Sequence, residues 1–484
     1  MERFDLIVIG SGSGLDVANA AAESGMKVAI IEKDRMGGTC LNRGCIPSKL
    51  LIHSADIMET VKNAGRFGID IAGPVSVDFE KVMQRTWGIV DPDAEGIRRA
   101  FESIDNPRLF PHECRFVGRK EIAVEGDSGG KTTTITMITA DKVLIATGAR
   151  PGVPRIEGLE GSGYITSDQA LRLKKLPQSM TVIGGGYVAA ELAHFFGSLG
   201  TKVSIIQRRD VMLADEDEEI SAAFTKAFAK KHAVYTGYSP QSVSKGGGLF
   251  MTRAKNAQGM TAEIESEQLL VATGRVPNSD TLQLEKAGVE TDRDGFIKVD
   301  EYLETSAKGI FALGDAVGRY QFKHSANHEA QYAFNNITRP QKKIAVDYTA
   351  MPHAIFASPQ VASAGHTEQE LRGKGVRYVK SIYRYADTAM GRAIGDEEGF
   401  VKLLVSEKNR MILGCHIVGP EASVLIHEVL VAMKAGLAID AVARTVHIHP
   451  ALSEVVSRAA YMPPPTSHHH DHQGHDDHER SESH

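Results

Sequence analysis

The 484-residue sequence has only four cysteines, one tryptophan and no concentrated block of Lys and Arg. So few cysteines exclude a disulfide-stabilised secreted scaffold, and the lack of a basic block argues against nucleic acid as a partner. No apolar run approaches the roughly 20 residues that cross a bilayer, and residues 1–10 lack the features of a signal peptide. We therefore expect a cytoplasmic protein that binds neither nucleic acid nor membranes.

The remaining composition is that of a large globular protein. It is 42% hydrophobic and 24% charged, with a net charge of −6, so a sizeable core is expected. The length suggests about three domains. The 47 glycines suit a protein in which the backbone closely approaches nucleotides.

An internal repeat organises the chain. Three segments recur in the same order, first at residues 6–14, 27–32 and 142–151, then at residues 180–190, 202–206 and 268–277. Each set begins with an apolar strand, a glycine-rich turn and an Ala-rich helical stretch, followed by a second strand. This is the pattern of a βαβ dinucleotide-binding unit, so two copies predict two dinucleotide sites.

The first unit departs from the usual glycine fingerprint. Gly10, Gly12 and Gly14 form its turn, but Leu15 occupies the third fingerprint position. Because that glycine serves close helix–strand packing, we expect the helix and the strand to be slightly further apart here. Glu32 ends the second strand and is placed to accept a hydrogen bond from a ribose hydroxyl; a solvated surface acid is the alternative.

The second unit predicts which nicotinamide nucleotide is used. Its turn carries Gly184, Gly186 and Ala189. Gln207 stands where a ribose-binding acid is usual, and Arg208 and Arg209 follow it. Arginines without a carboxylate favour a 2′-phosphate, so NADP(H) is preferred over NAD(H). The alternative is that both arginines are solvated and NAD(H) works equally well.

Two cysteines lie close together. An apolar pattern after Pro47 predicts a helix, and Cys40 and Cys45 should lie near its N-terminus, where the helix dipole lowers thiol pKa values. Four intervening residues let the two sulfurs bond to each other within one turn. A structural zinc ion normally needs four ligands, and the sequence contains no second pair of neighbouring cysteines, so no metal site is predicted. Cys114 and Cys415 are expected to be buried free thiols.

The residues around this pair carry a family resemblance. Residues 37–49 match the pattern G-G-T-C-x-N-x-G-C-x-P-x-K at every fixed position. With the repeat, this makes residues 4–460 resemble the class I pyridine nucleotide-disulfide oxidoreductases, which include dihydrolipoamide dehydrogenase, glutathione reductase, mycothione reductase and mercuric reductase. The resemblance implies FAD, with Cys45 facing the flavin and Cys40 exchanging with the substrate. It also implies that Lys49 lies by the flavin and pairs with Glu191.

The resemblance extends to the remaining cofactor contacts. Residues 305–315 match the second FAD motif of the family, in which the carboxylate of Asp315 binds the ribityl chain and Gly314 permits a close approach. The other implied cofactor-binding residues are Gly38, Thr39, Thr147, Gly148 and, in the second Ala-Thr-Gly segment, Gly274.

A C-terminal histidine is the expected acid–base group. Disulfide exchange needs a group that takes and returns thiol protons, and imidazole titrates in the useful range. Glu454 follows His449 at a distance that allows it to orient the ring. In the family this histidine reaches the other subunit's disulfide, so a homodimer with an active site completed in trans is implied. His447 is expected to be a supporting or packing residue rather than a second base.

The substrate is expected to be a small-molecule disulfide or dithiol. The chain lacks the C-terminal cysteine pairs of mercuric reductase and of some thioredoxin reductases. Dihydrolipoamide dehydrogenase fits the segments 40–49 and 449–454, although Gln207 replaces its usual acid; mycothione reductase is similar at residues 299–302 and 323–329. We expect dihydrolipoamide dehydrogenase, which is compatible with a 2-oxo acid dehydrogenase complex. NADPH-dependent mycothione reductase and a non-catalytic flavin-binding scaffold are the alternatives.

The predicted architecture is α/β, with two Rossmann-like FAD/NAD(P)-binding domains and a C-terminal α/β dimerisation domain. Residues 1–150 and 277–345 form the two parts of the FAD domain, 151–276 the NAD(P) domain and 346–462 the dimerisation domain. Residues 463–484 are His-rich and polar, so a disordered tail is predicted. The tail is either without a role or a weak site for nickel, zinc or copper.

Overall fold

The computed structural model describes residues 1–126 and 134–462. The predicted His-rich tail, residues 463–484, lies outside this part of the chain. In the described part, no helix combines the length and the apolar character that crossing a membrane requires. Short 3-10 turns lie at Ala64–Phe67, Asn278–Thr281, Leu284–Lys286, Gly314–Ala316 and Tyr385–Asp387.

The N-terminal part is built on a mixed sheet. Its elements are β1 (Glu2–Ile9), α1 (Gly14–Glu23), β2 (Val28–Ile31), α2 (Gly38–Arg43), α3 (Cys45–Asn63), α4 (Phe79–Glu102), β3 (Arg108–Phe110), β4 (Cys114–Gly118), β5 (Glu121–Gly126), β6 (Thr134–Ile145), β7 (Ala149–Pro151) and α5 (Ser167–Ala170). The strand order is β3-β2-β1-β6-β5-β4, and β1 runs parallel to β2 and β6. Leu6–Ile9 is buried on both faces, as expected for a central parallel strand.

The middle part contains a second parallel sheet and an antiparallel one. Its elements are β8 (Ser179–Ile183), α6 (Tyr187–Ser198), β9 (Lys202–Gln207), α7 (Glu218–Ala229), β10 (Ala233–Thr236), β11 (Tyr238–Gly246), β12 (Leu249–Asn256), β13 (Thr261–Ser266), β14 (Gln268–Val271) and β15 (Arg275–Pro277). The parallel sheet has the order β10-β9-β8-β14, the antiparallel sheet the order β11-β12-β13, and β15 pairs with β7. The repeat thus appears as two parallel βαβ units.

The C-terminal part adds one strand to the first sheet and then forms a separate antiparallel sheet with its own helices. The elements are β16 (Ile310–Ala312), α8 (Lys323–Thr338), β17 (Pro352–Ile355), β18 (Val361–Gly365), α9 (Glu368–Gly373), β19 (Tyr378–Arg384), α10 (Ala389–Ala393), β20 (Phe400–Ser406), β21 (Ile412–Val418), α11 (Ala422–Lys434), α12 (Ile439–Arg444) and α13 (Glu454–Ala460). β16 joins β6 in parallel, and the last sheet is antiparallel with the order β17-β18-β21-β20-β19. The predicted fold class is confirmed.

A buried ion cluster joins the middle part to the C-terminal sheet. Lys402 on β20 is fully buried, and its Nζ lies 2.7 Å from Oδ1 of Asp217 and 2.6 Å from Oε2 of Glu368. Asp217 caps α7 in the middle part of the chain. Because an unpaired buried charge is costly, this cluster fixes how the two parts sit against each other.

Candidate redox and nucleotide-binding site

The two cysteines lie at the junction of two helices. Cys40 is inside the short helix α2, whereas Cys45 is the first residue of α3. Gly44 separates the helices, and a Cβ there would come within 2.9 Å of the Thr39 carbonyl oxygen, so the chain folds back tightly. Both cysteines are free thiols in the structure. Both cysteines thus lie near the N-terminus of α3, as predicted, but the tight turn places Cys40 in a short helix of its own.

The two thiols differ in their electrostatic environment. The hydrogen bond between them lowers the pKa of Cys45 to about 7 against the opposing effect of burial, and the Lys49 ammonium lowers it further. The same hydrogen bond, with burial, raises the pKa of Cys40 above its usual range. The reduced pair therefore carries its first negative charge on Cys45, and Cys40 holds the proton.

Lys49 and Glu191 are 142 residues apart in the sequence but form a bidentate ion pair. Nζ of Lys49 lies 2.8 Å from Oε1 and 2.7 Å from Oε2 of Glu191. The Phe356 backbone N–H donates to the same carboxylate at 3.1 Å, and the Phe356 ring lies 4.7 Å from the ammonium. All three parts of the chain thus meet beside Cys45.

The first glycine-rich turn forms an open cradle. A Cβ on Gly10 would lie 2.3 Å from the Ala146 carbonyl oxygen, and the φ of Gly10 is +103°, so only glycine suits this turn. A Cβ on Gly12, by contrast, would meet no atom within 4 Å. A Cβ on Gly14 would lie 2.8 Å from Cγ1 of Val8. The predicted wider spacing of helix and strand is wrong, because Gly14 provides the close packing one position before Leu15.

Glu32 is tied into this cradle. Its Oε2 accepts hydrogen bonds from the backbone N–H of Ser11 at 2.9 Å and from the Ser11 hydroxyl at 2.7 Å. Oε1 accepts from the Asp34 backbone N–H at 2.9 Å. Gly38 closes the other side, since a Cβ on it would lie 2.7 Å from Cα of Gly12. Glu32 is therefore a half-buried, oriented carboxylate rather than a solvated surface acid.

The second wall of the cradle comes from the end of β6 and the turn after β16. Gly148 has a φ of +65° and open space beside it, and the Thr147 hydroxyl is buried without a hydrogen-bond partner among the described residues. Asp315 faces Arg275, with Oδ2 and Nε 3.4 Å apart, and burial raises the pKa of Asp315. The backbone N–H of Gly314 donates to Glu329 at 2.6 Å.

These features fit a bound FAD. The open space at Gly12 and Gly148 accommodates a closely approaching group, and the start of α1 offers backbone N–H groups to a diphosphate. Polar contacts for the other parts of the cofactor are available from the unpartnered Thr147 hydroxyl and from the oriented carboxylates of Glu32 and Asp315. Thr39 precedes Cys40 in α2.

The second glycine-rich turn is built in the same way. A Cβ on Gly184 would lie 2.1 Å from the Ala272 carbonyl oxygen, so this turn also packs against the end of a neighbouring strand. A Cβ on Gly186 or Gly274 would meet no atom within 4 Å, and Ala189 is buried in α6. The turn leaves room for a nucleotide at the start of the helix that carries Glu191.

The end of β9 lacks a carboxylate. Nε2 of Gln207 donates to the Val211 carbonyl at 3.3 Å. Arg209 forms an ion pair with Asp215 at 2.6 Å, whereas Arg208 is exposed and has no hydrogen-bond partner in the described ranges. The two predicted arginines therefore differ in their contacts, since Arg209 forms an exposed ion pair and Arg208 forms no hydrogen bond within the described ranges.

The C-terminal histidines each have a carboxylate partner. Nδ1 of His449 lies 3.0 Å from Oε1 of Glu454, and the His449 side chain is 72% exposed. His447 Nε2 lies 2.8 Å from Oε2 of Glu428. Burial alone would lower the pKa of His447, but the Glu428 hydrogen bond outweighs it and raises the pKa. No hydrogen bond in the described residues joins His449 to a thiol of its own chain.

Sequence reasoning missed several residues of the site. Ser11 and Arg275 orient the two predicted carboxylates, and Lys323 donates to Ser13 at the start of α1. Arg275 follows the second Ala-Thr-Gly segment directly, a position that the repeat could have indicated. The other contacts depend on tertiary packing.

The other two cysteines are free thiols that differ in burial. Cys415 is buried, as predicted, whereas Cys114 is only half-buried. Within residues 1–126 and 134–462, no group of three or more His, Cys, Asp or Glu side chains is arranged to hold a metal ion. The His-rich segment considered for weak metal binding lies outside these ranges.

Family models match nearly all of the described chain. Residues 4–330 match the family described as pyridine nucleotide-disulphide oxidoreductase, and residues 351–460 match the dimerisation domain of the same family. Mycothione reductase from Mycobacterium tuberculosis is 37% identical over 467 residues, which covers 95% of this chain and 99% of that protein. Dihydrolipoyl dehydrogenase from Bacillus subtilis is 35% identical over 482 residues, which covers 95% of this chain and 97% of that protein.

Solved structures with the same fold are also similar. The Cu(II) complex of the HOCl-induced flavoprotein disulfide reductase RclA from Escherichia coli has a TM-score of 0.84 and 26% sequence identity, covering 95% of this chain and 99% of that one. A further structure of the same reductase has a TM-score of 0.82, also with 26% identity, and covers 94% of this chain and 98% of that one.

Proposed function

Because this chain belongs to the pyridine nucleotide-disulphide oxidoreductases, we propose that it uses NADPH to reduce a small-molecule disulfide through Cys40 and Cys45. The observation that carries the proposal is the asymmetric thiol pair: Cys45 has a pKa of about 7 beside the Lys49–Glu191 ion pair. An enzyme of this family needs such a thiolate at neutral pH, because the thiolate and not the thiol reacts.

The residues of the cradle have distinct proposed tasks. FAD, when bound, supplies the two-electron chemistry that links a reduced nicotinamide to the thiol pair. The Gly10–Gly14 turn holds the diphosphate at the start of α1, Glu32 holds a ribose hydroxyl and Asp315 the ribityl chain. Lys49 and Glu191 keep the charge beside Cys45 fixed.

Exchange with the substrate is the task of Cys40 and His449. Cys40 attacks the substrate disulfide, and the imidazole returns a proton to the departing thiolate. Glu454 holds the ring by its Nδ1 and leaves Nε2 free for this transfer. Since His449 is exposed and not hydrogen-bonded to a thiol of its own chain, we assign it to the site of the partner subunit.

The dimerisation domain supports this homodimer. Val446 and Ile448, which flank His447 next to the base, are 95% and 79% exposed. Apolar side chains of this exposure on the loop that carries the base are suited to burial against a second copy. The cytoplasm is the proposed location, because a working dithiol requires a reducing compartment.

NADPH is the proposed nucleotide because of the residues that follow strand β9. No carboxylate is present there to bind an unphosphorylated ribose, and Arg208 is available for a 2′-phosphate. This choice favours flux towards disulfide reduction. It places a mycothione reductase-type activity first and dihydrolipoamide oxidation second, which reverses the order expected from the sequence alone.

The deciding experiment is a substrate panel on the purified holoenzyme. NADPH and NADH are each tested with mycothione disulfide, glutathione disulfide and lipoamide, and dihydrolipoamide is tested with NAD⁺ and NADP⁺. We expect NADPH oxidation with a small-molecule disulfide, and its loss in Cys40→Ser. Turnover confined to lipoamide and NAD(H) would favour the second candidate, an enzyme suited to a 2-oxo acid dehydrogenase complex. A flavin-loaded protein without turnover would indicate a binding scaffold.

A further inference from the structure

His447 lies two residues before the proposed base, His449, and forms hydrogen bonds through both nitrogens of its ring. Nδ1 lies 2.8 Å from the backbone carbonyl oxygen of Thr445, and Nε2 lies 2.8 Å from Oε2 of Glu428 on α11. The His447 side chain is only 10% exposed, which leaves little room for water to take the place of either acceptor. The ring is therefore held at two points.

The two acceptors determine the protonation state of this ring. A carbonyl oxygen and a carboxylate oxygen both accept hydrogen bonds, but a neutral imidazole has a single N–H to donate. Only the imidazolium, with two N–H groups, satisfies Thr445 and Glu428 together. Burial alone would lower the pKa of His447, but its two hydrogen bonds and the charges of Glu428 on α11 and Glu454 on α13 raise it, in agreement with this state.

The loop that carries the base has few other attachments. Within the described chain, no hydrogen bond between backbone groups involves residues 446–450. Val446 and Ile448 are strongly exposed, so packing in their own subunit does not hold either side chain. Between the end of α12 and His449, the ring of His447 is thus the side chain that ties the loop to its own domain.

The other end of this contact is a rigid element. Glu428 lies in the middle of α11, next to the fully buried Val429. Its second oxygen, Oε1, is buried and has no hydrogen-bond partner among residues 1–126 and 134–462. In that part of the chain, His447 is therefore the hydrogen-bond partner on which the Glu428 carboxylate depends. Because an unpaired, partly buried charge is costly, the pair holds the loop close to α11.

We propose that the imidazolium of His447 is a positioning residue, which anchors the loop so that Nε2 of His449 can pass its proton to the departing substrate thiolate. This inference rests on the proposed disulfide reductase function. Glu454 holds the ring of His449 itself, and Glu428 holds the loop just before it. A neutral His447 keeps only one of its two hydrogen bonds, so the anchor weakens as the pH rises and His447 loses its proton. His447 itself transfers no proton to the substrate.

Two substitutions separate the anchor from its charge. His447→Phe keeps a ring and removes both N–H groups. Glu428→Gln keeps both hydrogen bonds with a neutral ring, because the amide can donate to Nε2 while Nδ1–H donates to Thr445. His366→Asn is the matched control, since His366 also pairs with a glutamate, Glu370, at an exposed site. Stopped-flow measurements on the dimeric holoenzyme follow reduction by NADPH and reoxidation by substrate separately, with mycothione disulfide or, if only that is turned over, lipoamide.

We expect His447→Phe to slow reoxidation by substrate about tenfold and to leave reduction by NADPH unchanged, because a displaced acid group loses much of its catalytic effect. The ratio of the Glu428→Gln rate to the wild-type rate should rise about threefold from about pH 6 to about pH 9, since only the wild-type anchor depends on a proton. Both chains carry the same His449, so the ratio removes its own titration. His366→Asn should match the wild type.

The ionisation of His447 is measured without substrate. Exchange of the imidazole C2 hydrogen for deuterium depends on the ionisation of the ring, and mass spectrometry of peptide 445–458 reports His447 alone in the His449→Gln chain. The midpoint should lie above the ordinary value for histidine and fall when Glu428→Gln is added. An ordinary midpoint, a rate ratio that does not change with pH, or equal slowing of both half-reactions in His447→Phe would overturn the proposal. Failure of the proposed function appears elsewhere, as a wild-type enzyme with the raised midpoint that reduces no disulfide with NADPH.

Discussion

Nδ1 of His449 lies 3.0 Å from Oε1 of Glu454, and the Ala451 backbone N–H donates to the other oxygen of the same carboxylate at 3.2 Å. The carboxylate is thus held on both sides, and the hydrogen bond from His449 lowers the pKa of Glu454. A carboxylate that stays charged stabilises the protonated imidazole, which is the form that donates a proton to a leaving thiolate.

Replacing the histidine should therefore stop exchange without affecting reduction of the enzyme. We expect His449→Gln to lower kcat for disulfide reduction by about 100-fold or more, because general acid–base catalysis typically contributes at least that much. Glu454→Gln should have a smaller effect. Stopped-flow reduction by NADPH, monitored through the flavin, should be unchanged in both variants. An equal loss in this half-reaction would contradict the assignment.

Mixed dimers test whether the base acts in trans. Cys40→Ser and His449→Gln subunits are each inactive alone, but a heterodimer has one site with both residues intact. After random subunit exchange, half of the dimers are mixed, so about a quarter of wild-type activity should return. The measurement is NADPH-dependent disulfide reduction before and after exchange. If the mixture stays inactive while native mass spectrometry shows heterodimers, the base acts within its own chain.

The ionisation of Cys45 should be visible in the absorption spectrum of the reduced enzyme. Its pKa is lowered to about 7, so the thiolate dominates above pH 7 and is lost as the pH falls below it. The thiolate-to-flavin band of the two-electron-reduced enzyme should titrate with that midpoint. Lys49→Met should raise the midpoint because a stabilising cation is removed, and Glu191→Gln should lower it because an opposing negative charge is removed. Shifts of the same sign in both variants would contradict this electrostatic account.

The two arginines after β9 offer a matched pair for testing nucleotide choice. Arg208→Ala should reduce kcat/KM for NADPH by at least about tenfold and leave NADH nearly unaffected, since a charge-assisted contact to the 2′-phosphate is lost. Arg209→Ala should have a weaker effect, because Arg209 is already paired with Asp215. The measurement is steady-state kinetics with both nucleotides. Equal losses for NADPH and NADH in Arg208→Ala would show that the phosphate is bound elsewhere.

Two alanine substitutions in the first turn separate folding from cofactor binding. Gly10→Ala places a methyl group 2.3 Å from a carbonyl oxygen at a φ of +103°, so it should lower the free energy of unfolding by about 2 kcal/mol or more. Gly12→Ala meets no protein atom within 4 Å, so the fold should persist while the added methyl group obstructs FAD. Chemical denaturation of apoprotein and FAD titration measure the two effects. Normal FAD affinity in Gly12→Ala would show that the cradle is not the binding site.

The local parts of this structure were predictable from the sequence. The strand, turn and helix of each βαβ unit follow from apolar runs and glycines that are neighbours along the chain. Even there, the effect of Leu15 at the third fingerprint position was misjudged, because α1 begins at Gly14 and packs closely on Val8 through that residue. The short helix around Cys40 also escaped prediction, because six residues are too few to show an apolar period.

Contacts between distant segments required the structure. The Lys49–Glu191 pair was expected only from the family resemblance, and nothing in the sequence indicates that Lys323 meets Ser13 across 310 residues. Such contacts depend on how sheets pack, which composition and periodicity do not encode. The residue ranges predicted for the domains and the roles assigned to the site residues stay predictions.

The Glu191 carboxylate accepts a hydrogen bond from Phe356, which lies far towards the C-terminal end of the chain. During synthesis on the ribosome, Cys45, Lys49 and Glu191 all emerge long before that amide. The mature environment of the thiolate is therefore completed late in biogenesis, only after most of the polypeptide has been made. A truncated or nascent chain holds the same cysteines without the finished surroundings that tune them.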